Sequence, residues 1–159
     1  MSALLSLEPA LRRPLLDLVV RVARAESIID PAQLAAVRGA QVALGLVDAA
    51  LDDVALRSAT GEWHALSDAP DCERSLAYAV ARWVALADGV LDDAEAALLA
   101  QLRAELRLGD AAVRLAESIA NDVALRVRNE SIPPHRAFTS IALACARHAV
   151  RRRHLRAAA

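Results

Sequence analysis

The run Ala87-Asp88-Gly89-Val90-Leu91-Asp92-Asp93-Ala94-Glu95, which follows the apolar stretch Trp83-Val84-Ala85-Leu86, reads as the corner between two amphipathic helices. Gly89 suits the left-handed residue that closes a helix, Asp92 suits the N-cap of the next, and Glu95 stands where a capping box needs it. An earlier stretch, Ala25-Glu26-Ser27-Ile28-Ile29-Asp30-Pro31-Ala32-Gln33, has the same grammar, with Asp30 as cap, Pro31 in the first turn and Gln33 completing the box. Laying residues 22–51 on 84–113 at a constant shift of 62 pairs Val22/Val84, Ala23/Ala85, Asp30/Asp92, Leu44/Leu106, Leu46/Leu108 and Asp48/Asp110. Alanine-rich helices generate matches by composition, but Asp30/Asp92 and Asp48/Asp110 fall where helices are expected to start, and Asp is favoured there for its hydrogen bond to free N–H groups. Further on, Asp53-Val54-Ala55-Leu56-Arg57 recurs as Asp122-Val123-Ala124-Leu125-Arg126. The expectation is an all-α fold of about seven helices forming a duplicated, pseudo-two-fold bundle.

Working outward, apolar residues recur at helical spacing in nearly every segment, and none alternates with period two. The periodicity predicts helices over roughly 11–26, 31–45, 48–58, 69–88, 93–107, 111–127 and 134–155. Residues 59–68 form the longest irregular stretch, and Asn129-Glu130-Ser131-Ile132-Pro133-Pro134 separates the last two helices. One domain over 1–159 is expected, with repeat one at about 12–58, repeat two at about 76–127 and a C-terminal helix at about 134–155. Hydrophobic residues make up 56% of the chain but aromatics only 3%, so the core must be built from Ala, Leu and Val.

Nineteen Arg and no Lys balance twenty acidic residues, for a net charge of −1. Without bulk positive charge, general nucleic-acid binding is not expected. Without lysine, Schiff-base catalysis and a P-loop lysine are excluded. Cys72 and Cys145 are far apart and in no metal-binding spacing, so neither a disulfide scaffold nor a zinc site is expected. No signal-like start and no apolar run long enough to span a bilayer is read, and the expected location is cytoplasmic.

The order Asp-Gly-x-x-Asp-x-x-Glu at Asp88–Glu95, with its counterpart near Glu26–Gln33, resembles the TerB-like family of tellurite-resistance proteins. Leu106-Arg107-Leu108 and Leu44-Gly45-Leu46 resemble the Leu-Gly-Leu that follows in that family, and the likeness spans roughly residues 12–150. The resemblance implies an all-helical bacterial protein linked to metal or oxidative stress, with acidic turns suspected of binding metal and partners that include membrane-associated proteins. This chain departs from the pattern at Ser27 and Gln33, so an ion site carried over rests on Asp88, Asp92 and Glu95, with Asp93, Glu26 and Asp30 as weaker members.

Two readings of the acidic turn stay open. Capping explains Gly89, Asp92 and Glu95 but leaves Asp88 and Glu26 at the negative end of a helix dipole. Carboxylates crowded into one turn would instead be relieved by Ca²⁺ or Mg²⁺, although the spacing is not that of an EF-hand. Near the end, Arg147–Arg156 gathers five Arg and two His; Arg151, Arg152, Arg153 and Arg156 are the expected contacts to a protein partner or a membrane surface, unless they only solvate a helix. Trp63 is expected to fold back over the core, and Tyr78, Trp83 and Phe138 to pack within it. His64, His135, His148 and His154 join no metal or nucleophile motif, and no catalytic constellation is found. The expected function is therefore a non-enzymatic binding or adaptor protein, with an ion-free scaffold as the alternative. A small-molecule carrier or enzyme with a pocket between the repeats is the third reading.

Overall fold

The computed structural model describes residues 7–25, 28–58 and 63–158, without the side chains of 56–58. Eight helices and no strand occur among the described residues: α1 (Pro9–Ala23), α2 (Pro31–Leu44), α3 (Leu51–Ser58), α4 (His64–Ser67), α5 (Asp71–Ala85), α6 (Asp93–Glu105), α7 (Asp110–Glu130) and α8 (Pro134–Ala157). The all-α expectation holds. The periodicity predicts seven helices; the added one, α4, is a single turn, too short to leave a periodic apolar signature. Asp110 is the first residue of α7 but does not cap it, since the N-cap is Gly109 without a side-chain bond and Asp110 pairs with Arg103; Asp48 lies in a turn and α3 starts only at Leu51.

Two helices carry the centre. In α1, Leu15, Leu16, Leu18, Val19, Val20, Val22 and Ala23 are buried on almost every side, and α1 packs on α2, α3, α4 and α5. In α5, every residue from Leu76 to Ala85 except Arg82 is buried, and it packs on α1, α2, α4, α6, α7 and α8. Small side chains are what let so many helices approach one rod. Buried aliphatic residues from all eight helices join one core cluster, which includes Trp63, Tyr78, Trp83 and Phe138 as expected. Arg21 lies over the Trp63 ring at 4.4 Å from its centroid, capping the lid with a cation–π contact. No helix among the described residues is long and apolar enough to cross a membrane.

The helix bounds keep the offset seen in the sequence. Pro9–Ala23 and Asp71–Ala85 begin and end 62 residues apart, and Pro31 and Asp93, which open α2 and α6, differ by the same 62. The helix ends match too. Gly45 sits at φ 70 and Arg107 at φ 52, both left-handed. Leu46 N–H reaches the Gln41 carbonyl at 2.9 Å, and Leu108 N–H reaches that of Arg103 at 3.2 Å, the same six-residue Schellman closure. What differs between the halves is α8, which lies along α2 and also touches α5 and α7, but has no comparable packing on α6. Gly39 of α2 explains the choice: a Cβ there would stand 2.4 Å from Pro134 Cβ, so only glycine lets α8 approach. The position 62 residues on is Gln101, exposed and bonded to Glu105.

Candidate functional site

The acidic corner is built by backbone needs. After α5 ends, Gly89 turns the chain at φ 94 and its N–H bonds the Leu86 carbonyl at 2.9 Å. Asp88 Oδ1 accepts the Val90 N–H at 3.0 Å, so the carboxylate that capping alone left unexplained closes a small side-chain turn. Asp92 Oδ1 accepts the Glu95 N–H at 2.8 Å, and Glu95 Oε2 accepts the Asp92 N–H at 3.2 Å, a complete capping box. In the first half, Asp30 Oδ1 accepts the Ala32 N–H at 2.7 Å while Gln33 Oε1 takes the Asp30 N–H at 3.4 Å.

The second use of Glu95 was not legible in the sequence. Its other oxygen, Oε1, accepts a hydrogen bond from Gln33 Nε2 at 2.5 Å, joining positions 62 residues apart. Both side chains are buried, and Glu95 is only 1% exposed. Burial is the main reason its pKa is pushed up to about 7; the charges of Asp92 and Asp88 add to the rise, while the bonds from the Asp92 backbone and Gln33 oppose it. A Gln in one half and a Glu in the other is the complementary pair such a meeting requires, since two ionised carboxylates in contact would repel. That asymmetry stands in the sequence as Gln33 against Glu95, but its reason is tertiary.

Of the other residues proposed for an ion, Asp93 is exposed in the first turn of α6, Asp30 is spent on its cap, and Glu26 lies outside the described residues. Among the described residues, no three His, Cys, Asp or Glu side chains are grouped so as to hold a metal ion. Glu95, with both oxygens engaged and its side chain buried, does not fit an ion-contacting role in this arrangement. Each corner presents one aliphatic side chain to solvent, Ile28 at 82% exposure in the first and Val90 at 65% in the second, again 62 residues apart.

No protein-family model, curated protein or solved structure matches the chain.

Two further surfaces bear on function. Arg21, Arg24 and Ala25 face Ala94, Ala97, Leu98 and Gln101 across a surface cleft of about 330 Å³ between the halves. A different pair of cavities, of about 240 and 350 Å³, flanks the second half of α8 where it crosses α5 and α7. Cys72, Cys145, Ala149 and Arg153 line both, and His148, Arg152 and Arg156 line the first. Arg151 lines neither and is exposed. Cys72 and Cys145 lie far apart in the chain, but the fold brings both to one wall, free, with Cys145 pushed up to about 12 by burial and the nearby Cys72. The missed signal was spacing: Cys145, Ala149, Arg152 and Arg156 follow one another by four, three and four residues, one face of a helix.

Proposed function

We propose that this chain is a non-enzymatic, ion-free binding module, a TerB-like duplicated helical scaffold in which the acidic turns are structural. The observation that carries the reading is the Gln33–Glu95 bond, which commits the central carboxylate of the motif to joining two equivalent corners. The common 62-residue offset of α1 with α5 and of the starts of α2 and α6, with the matched left-handed closures at Gly45 and Arg107, supports the pseudo-two-fold duplication. A place among cytoplasmic proteins of metal or oxidative stress rests on the motif resemblance.

The two corners offer a partner the exposed Ile28, with Asp30 near it in sequence, and the exposed Val90, with Asp88 and Asp93 near it in sequence. Exposed aliphatics rimmed by carboxylates suit a protein segment that is apolar and basic. Calorimetric titration with Ca²⁺ and with Mg²⁺ tests the ion-free reading: no heat and no change in melting temperature are expected, and saturable binding lost in Glu95→Gln would overturn it. For the partner surface, capture from the native host should recover a protein that the Ile28→Asp/Val90→Asp variant loses. Equal recovery by both would place the contact elsewhere.

A further inference from the structure

We propose, beyond that reading, that the paired cavities along α8 form one groove for a single long-chain aliphatic carboxylate. The chain would lie against α5 and α7 and its head on Arg152 and Arg156. The walls are apolar where the tail needs them: Leu76, Ile119, Ala142 and Ala149 contribute aliphatic surface. Cys145 adds to this surface, because burial keeps its thiol neutral. From Ala142 to Arg156 the helix rises roughly 21 Å, the reach of a long acyl chain. The two cavities, about 240 and 350 Å³, share a wall, and only taken together do they fall well within the size range of small-molecule pockets.

Charge complementarity selects the head group. Arg152, Arg153 and Arg156 converge on the first cavity, and among the described residues none of them forms an ion pair. Guanidinium forks hold a carboxylate through two parallel bonds, which a hydroxyl cannot match. The nearby acids are placed apart from the head or already paired. Asp71 is paired with Arg74. Glu73, whose pKa is raised by burial and by Glu8, lines the second cavity and not the first, where the arginines hold the head. The first cavity is recessed between α5, α7 and α8, which favours a free carboxylate over a bilayer surface.

Oleate, titrated below its micelle concentration into the full chain, decides the matter by calorimetry and by amide shifts near Cys72 and Ala149. Expected are saturable one-to-one binding, at least tenfold weaker binding of oleyl alcohol, and a loss of tenfold or more in Arg152→Ala/Arg156→Ala. Those two positions are exposed, so the variant should melt with the parent. Ala149→Trp should block the groove with the arginines intact; should it fail to fold, the arginine variant and the alcohol still decide. Non-saturable uptake, equal affinity for the alcohol, or association with phosphatidylglycerol vesicles alone would overturn the proposal, the last marking α8 as a membrane-docking helix. None of these outcomes bears on the ion titration of the acidic corner.

Discussion

Arg107 occupies the left-handed position that Gly45 fills in the first half, at φ 52 against φ 70. An L side chain there strains against its own backbone, whereas glycine does not. Arg107→Gly should therefore raise stability by about 0.5–1 kcal/mol, read as a shift of the denaturation midpoint. Glu95 sets a pH dependence whose sign follows from its raised pKa. The unfolded chain loses this proton near 4.5 and the folded chain near 7, so between them the folded state binds more protons and stability falls as pH rises. The loss, up to about 3 kcal/mol, is complete above the folded pKa. Glu73, also raised, adds in the same direction. Denaturation at pH 5 and pH 8 should show the drop in the parent and most of it removed in Glu95→Gln; an equal drop in both would mean that the Glu95 carboxyl is not desolvated. Gln33 and Glu95 were each legible as capping residues from local spacing, but nothing local announces that they touch.

At the scale of elements, α2 and α8 meet because residue 39 has no side chain. Gly39→Ala drives a methyl into Pro134 Cβ and the Pro134–His135 backbone, with neither able to rotate away. The expected cost is about 3 kcal/mol, at the upper end for overpacking. Thermal melts check it: an unchanged melting temperature would mean that α8 is not seated on α2 as described. Helix starts were readable wherever a side chain satisfied its own backbone, as at Asp30-Pro31 and Asp92. Helix ends were less so. α7 runs to Glu130, stopped by Ser131 at φ 52 and the following prolines, three residues beyond its expected end. The stretch at 64–67 is one helical turn whose Leu66, with Trp63 before it, is buried in the core.

For the whole molecule, the last buried residue of α8 is Cys145, and residues 151–158 are exposed. Ending the chain after Val150 should shift the melting temperature by about 2 °C or less, since little burial is lost, while abolishing oleate binding with the arginine rim. A large fall in melting temperature would show that the end of α8 stabilises the fold. The sequence by itself determined the helical class, the two matching corners and the small-residue core, because periodicity and capping act over a few residues of chain. Only the tertiary structure decided that Gln33 and Glu95 share a proton-sensitive bond, that α8 lies along α2 but not along α6, and that two distant cysteines line the same cavity. Those are meetings between helices, fixed by which side chains leave room for a neighbour, and that information lies in no single stretch of the chain.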